Sequence, residues 1–229
     1  MARLRIMQLF ARWHIWLGWL VGFPILMWTV TGLYMVARPI EEVRGSHLHA
    51  APAAIDPVPL AFPKMDEAIQ RAELLQLPSG PVWIVTATDG TKSSYSAAGG
   101  YLLPPIDRDD ARAIAGAAYE GNAKIETVTY FPADIAPLEL RRNRPSWQAH
   151  YSDGTNLYLD GITGEVLALR TRQWRLYDFM WGLHIMDLES REDTHHPILM
   201  AFAALSVIGA SIGCILLFRR RKAKVRANG

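Results

Sequence analysis

Seven histidines carry most of the chemical potential of this chain: His14, His47, His49, His150, His184, His195 and His196. No nucleophile elbow, HExxH helix or phosphate loop accompanies them, so hydrolytic and nucleotide chemistry have no residues to use. Imidazole is a strong ligand for iron, and His14 has the surroundings an axial ligand needs. It lies just inside an uncharged run bounded by Arg12 and Arg38, and Gly18 and Gly22 follow at one-turn steps. A porphyrin needs an axial base and room for a flat ring against the backbone, and histidine plus glycine on one stripe offers both. The same residues have a second reading. Gly-xxx-Gly also packs helices, and a histidine between Trp13 and Trp16 also suits an interfacial aromatic belt.

The other imidazoles gather elsewhere. His184 lies beside an apolar stripe of Leu176, Phe179, Met180, Leu183 and Met186, while His195 and His196 immediately precede Pro197, a residue suited to the first turn of a helix. Iron ligation, solvation, and capture of a free metal ion with the carboxylates of MDLESREDTHH are the three uses open to this group. His150 belongs to a strand pattern and reads as an ordinary sheet residue.

Two elements must position these side chains. The run after Arg12 and a second charge-free run, Pro197 to Phe218, each reach the roughly 20 apolar residues that cross a bilayer. Three arginines precede the first run and six cations follow the second, with no acid in either tail. These tails therefore hold +9 of a net +2, which leaves −7 between the helices. Lys and Arg stay on the cytoplasmic side, so both termini are expected inside and the acidic middle outside. The pI near 8.7 is then a topology signal and calls for no nucleic acid. The first run is too long for a signal-peptide core, which favours an uncleaved anchor. The one cysteine, Cys214, lies within the second run, so the exported part folds without disulfides. His14 is placed at the cytoplasmic face, and His184, His195 and His196 at the outer face. They cannot share one haem.

The expected layout is a cytoplasmic tail at 1–12, a first span at 13–37, a linker at 38–62 and an outer domain at 63–171. An interfacial amphipathic helix at 172–190, a second span at 197–218 and a basic tail at 219–229 follow. Within the outer domain KMDEAIQRAELLQL keeps helical spacing, and PVWIVTATDGTKSSYSA reads as a hairpin turning at Asp89-Gly90. IDRDDARAIAGAAY reads as a helix, KIETVTYF as a strand, and SWQAHYSDGTNLYLD as a hairpin turning at Asp153-Gly154. Trp83 and Trp147 each stand six residues before the turn aspartate. Two helix-plus-hairpin repeats, about 63–100 and 106–171, are therefore expected. The fold class is membrane α+β, with small antiparallel sheets each covered by a helix. Ala203, Ser206, Ala210 and Gly213, with Gly209 beside them, form a small-residue stripe on the second span.

NLYLDGITGEVLAL resembles the end of a PepSY domain, with its D-x-x-T-G-E-V turn. ARWHIWLGWLVGFPILMWTVTGLYM resembles the first helix of PepSY-associated transmembrane proteins, with an HxWLG opening and a TG near its far end. The resemblance covers nearly the whole chain. It implies a bacterial inner-membrane protein, similar to relatives that reduce ferric siderophores using haem b held between their helices. Such relatives usually carry about four spans, so a two-span chain is expected to share a haem with another copy or a partner membrane subunit. The short tails leave no room for a flavin or nicotinamide domain, so quinol or a redox protein is the expected electron donor. The alternative implied is a non-redox, membrane-anchored module that binds a peptide, protease or envelope partner.

Overall fold

A computed structural model describes residues 2–55, 59–66 and 68–227. Contacts divide the chain into two units, one formed by Met1–Arg38 with Leu176–Gly229 and the other by Pro39–Arg175.

The first unit is built on helix α1 (Ala2–Val36) and a long C-terminal helix, Pro197–Ala227. Stretches Ile6–Val36 and Pro197–Phe218 within them are long and apolar enough to cross a membrane. Along α1 Val21, Pro24 and Thr31 are buried, and His14, Leu17 and Trp28 are among the half-buried residues that continue their line. They recur at alternating steps of three and four, the seam of a left-handed helix pair. Trp16, Trp19, Phe23 and Leu33 lie off the seam and are exposed, as a lipid-facing surface requires. On the C-terminal helix Gly209 is buried and Leu199, Phe202, Leu205, Ser206, Ile212, Gly213 and Leu216 are half-buried, whereas Ala203 and Ala210 are exposed. The expected small-residue stripe is thus only half used, because a helix pair buries one seam of roughly 3.5-residue period.

The second unit starts where an extended linker was expected. Its first part, α2 (Ile40–Arg44) and a 3-10 turn (Ser46–Leu48), packs down, with Val43 buried and His49 bridging to Tyr119, and the described residues of 51–63 form no helix or strand. Strands β1 (Ile69–Leu77), β2 (Gly80–Ala87) and β3 (Lys92–Ser96) form an antiparallel sheet in that order. Helix α3 (Arg108–Ala118) then leads into β4 (Ile125–Phe131), β5 (Ser146–Tyr151), β6 (Asn156–Asp160) and β7 (Val166–Arg170), a second antiparallel sheet. Asp107 and Asp110 form a reciprocal capping box that starts α3.

β1 corrects the expectation of a helix over KMDEAIQRAELLQL. Its apolar residues fit either period, and long-range pairing decides. Pro78 and Ser79 close a two-residue turn that sets Leu77 against Gly80 and Leu75 against Val82. The strand then supplies backbone partners to β2 and places Leu77 in the core. That core joins Leu77, Val82 and Ile84 of the first sheet to Ala111, Ile114 and Ala115 of α3 and to Tyr151, Leu157 and Leu159 of the second sheet. Among the described residues the first repeat therefore contains no covering helix.

The hairpins themselves correspond closely. Trp83 pairs with Tyr95 and Trp147 with Leu159, so each tryptophan sits in the same register relative to Asp89 and Asp153. Each indole N–H donates to a carbonyl of the preceding segment at 3.1 Å, Ala61 and Ile106 respectively. Each turn aspartate accepts the N–H two residues on, Thr91 or Thr155, at 2.8 Å. The D-x-x-T-G-E-V turn closes the domain: Asp160 Oδ1 accepts from Ile162 and Thr163 N–H, and Glu165 accepts from Lys92 Nζ of β3 at 2.8 Å.

Helix α4 (Arg172–Ile185) ends five residues before the interfacial helix was expected to end. The chain turns there because Asp187 takes over as a loop cap. Its carboxylate accepts from the N–H groups of Glu189, Ser190, Glu192 and Asp193 and from the Ser190 hydroxyl. Met186 and Arg191 adopt left-handed backbone on either side of it. The C-terminal helix, Pro197–Ala227, is α5 below.

Candidate haem-ligand histidines

His14 occupies a notch in α5. Its Nδ1 lies 3.1 Å from the Gly209 carbonyl oxygen, and a side chain at Gly213 would meet its Cε1 at 2.8 Å. A carbonyl only accepts, so Nδ1 carries a proton, and in the neutral ring Nε2 keeps its lone pair. Gly213 makes the contact possible, since any Cβ there would displace the ring.

His184 is held in a similar way against α1. Its Nδ1 lies 2.9 Å from Thr31 Oγ1, and its Cε1 lies 3.5 Å from where a Cβ of Gly32 would stand. The Thr31 hydroxyl also reaches the Met27 carbonyl at 2.8 Å and the Trp28 carbonyl at 3.2 Å. Its single proton goes to those acceptors, so its oxygen must accept from His184 Nδ1–H. Thr31 is 2% exposed, so the pair is well protected. No hydrogen bond to Nε2 of either histidine is formed among the described residues. An imidazole with Nδ1–H anchored and Nε2 free is the form in which histidine binds a metal through Nε2.

Gly18 and Gly22 do not join His14 on the packed seam. Added side chains there would meet nothing within 4 Å. The four-residue step drifts about 40° per turn, which carries them off the seam onto the open face of α1. Arg12, Trp13, Trp16, Leu17 and Leu20 line an apolar hollow of about 330 Å³, on the opposite side of α1 from Gly18 and Gly22.

The outer histidines do not assemble with their carboxylates. His195 is exposed, with its N–H on Asp193 Oδ1 at 2.8 Å, and His196 Nδ1 is buried without a partner among the described residues. The Asp178 carboxylate pairs with Arg191 at 2.5 Å, and Asp187 is occupied by the loop backbone and Ser190. Hydrogen bonds from Ser190 and that backbone hold the Asp187 carboxyl well below the usual carboxylate range. Among the described residues no three His, Cys, Asp or Glu side chains are placed to hold a metal ion. The acidic residues of MDLESREDTHH thus fold a loop, which removes the ligand set that free-metal capture would need.

Thr31, Gly32, Gly209 and Gly213 are the partners that histidine spacing alone did not point to. The signal was available in the Thr-Gly pair of the first span and the Gly-xxx-Gly pair of the second. A model of the family described as PepSY-associated TM region matches residues 11–229. No curated protein and no solved structure matches the chain.

Proposed function

The chain belongs to the PepSY-associated transmembrane family, and from that premise we propose a haem-binding electron-transfer protein of the bacterial inner membrane. In this reading both termini are cytoplasmic, the sheet domain is periplasmic, and electrons pass outward to reduce ferric siderophores or other ferric iron. The observation that carries the reading is the shared tethering of His14 and His184, Nδ1 to an acceptor and Nε2 free. Haem b, when bound, supplies a one-electron couple within an apolar medium. His14 would hold one such group and His184 another, with His195 and His196 as further candidates at the outer end. Gly18 and Gly22 leave the space beside His14 unfilled.

His14 and Thr31 are seventeen residues apart on one helix, about 25 Å at 1.5 Å per residue. One ring cannot reach both levels, so a haem held by His14 would need its second base from a second copy or a partner membrane subunit, whereas one held by His184 could also draw on His195 or His196. Quinol or a redox protein supplies the electrons. The two Trp-bearing hairpins, with equal register about their turn aspartates, support an origin by duplication of the hairpin.

Purified protein expressed with ample haem should show a Soret band. His14→Ala should remove one spectral component and His184→Ala the other. A wild-type protein without Soret absorbance defeats the reading. A second reading, a non-redox envelope-binding module, is favoured by one feature: an apolar cleft of about 420 Å³ between β1, α3 and Ala50–Ala53. It predicts partner capture that His14→Ala leaves unchanged.

A further inference from the structure

The sheet β1–β2–β3 has one covered edge and one bare edge. Outside β3, Ser96 N–H donates to the Tyr101 carbonyl at 2.9 Å and Leu103 N–H to the Ser94 carbonyl at 2.8 Å. Outside β1 no backbone hydrogen bond is formed among the described residues. The two-residue turn makes Leu77 and Gly80 a hydrogen-bonded pair, and alternation continues through Leu75–Val82 and Glu73–Ile84. Ala72, Leu74 and Gln76 therefore turn their N–H and C=O groups outward. Pro81, opposite Gln76, fits this phase, because there its missing N–H is not required by β1.

Exposed edges are usually blunted with proline or lysine. β1 has neither. It carries a bulge at its start, between Ile69 and Arg71, and Arg71 and Glu73 on one face, paired to each other, Arg71 largely exposed and Glu73 half-buried. We propose that this edge pairs antiparallel with β1 of a second copy of the chain, about a two-fold axis through Ala72. In that register Ala72 faces its symmetry mate, Arg71 lies directly opposite the partner's Glu73, and Glu73 opposite the partner's Arg71. Cross-strand opposite charges are favourable and like charges are not.

The neighbouring registers lose this match. An axis through Leu74 sets Arg71 against the partner's Leu77 and Glu73 against the partner's Leu75. An axis through Gln76 sets Leu74 against the partner's Pro78, which has no N–H to give. Charge thus selects one register, and the bulge between Ile69 and Arg71 limits the length of the paired stretch. The pairing joins two three-stranded sheets into one of six.

Cysteine cross-linking in the full chain reads this register without reference to haem. In a Cys214→Ser background, Ala72→Cys should give a disulfide dimer under mild oxidation. A hydrogen-bonded antiparallel pair sets Cα atoms about 5.5 Å apart, within disulfide reach. Leu74→Cys and Gln76→Cys should give no disulfide cross-link. In the Ala72→Cys chain, Arg71→Glu or Glu73→Arg should each lower the yield about tenfold, two symmetry-related pairs being reversed. The double exchange should restore it. The unmodified chain in detergent should have twice the 25.7 kDa protomer mass. Preferential cross-linking at position 74 or 76, a failed rescue, or a monomeric unmodified chain overturns the proposal. So does protection of the Leu74 and Gln76 amides in a monomeric chain by an extended peptide of another protein.

Discussion

Gly213 and Gly18 predict opposite outcomes for one substitution. Gly213→Ala puts a methyl 2.8 Å from His14 Cε1, well inside contact distance, so the ring must leave its notch and lose the Gly209 carbonyl. Gly18→Ala meets nothing within 4 Å and should leave His14 unmoved. Nitrogen chemical shifts of labelled histidine in detergent check both variants. A Gly18→Ala chain that perturbs His14 would mean that something outside the protomer sits on that face. The hydroxyl of Thr31 makes a similar claim on His184. Thr31→Val keeps the shape but removes the acceptor, so the Nδ1–H signal of His184 should shift while that of His14 stays. The expected cost is about 1 kcal/mol, typical of one hydrogen bond between membrane helices.

At the level of elements, α3 depends on its first turn. Asp107 accepts from Asp109 and Asp110 N–H at 2.9 Å while Asp110 reaches back to Asp107 N–H. Asp107→Ala should lower stability by about 1 kcal/mol, readable as a shift in thermal midpoint. The helix carries Ala111, Ile114 and Ala115 into the core, so its fraying would be felt by both sheets. β6 and the start of α4 are tied by a different device. Arg175 donates to Glu139 at 2.8 Å and to the Gly154 carbonyl at 2.7 Å, while Asn156 and Tyr158 also donate to Glu139. Burial alone would raise the Glu139 pKa, but the bonds from Arg175, Tyr158 and Asn156 hold it below the ordinary glutamate value. A depressed carboxyl contributes stability that is present above its unfolded pKa and lost as pH falls through the folded one. Melting in detergent should therefore weaken as pH falls below about 4.3, the ordinary glutamate value. Glu139→Gln should flatten that part of the dependence.

For the whole molecule the charge distribution makes the topological prediction. With nine positive charges in the tails and seven net negative charges between the spans, a cytoplasmic reporter fused after Gly229 should be active. An outward reporter inserted near Gly99-Gly100 should be active as well. The opposite pattern would place the sheet domain inside and end the case for outward electron transfer.

Reading the sequence alone located both apolar helices, α3, the two DGT hairpins and His14 and His184 as candidate ligands. These are local matters: a run of uncharged residues, a capping aspartate before a helical period, a turn dipeptide between alternating strands. Tertiary structure decided the rest. Ile69–Leu77 satisfied the helical period but became a strand, because a Pro-Ser turn delivered it to the unpaired edge of β2. Pairing over a sheet outweighs a weak local preference. Gly18 and Gly22 looked like partners of His14, yet the notch that holds the ring is Gly209 and Gly213, some 195 residues away in sequence. Periodicity fixes which residues share a face of one helix, but it carries no information on which helix that face meets. The proton on each imidazole was settled in the same way, by a carbonyl and a hydroxyl brought from a distant segment.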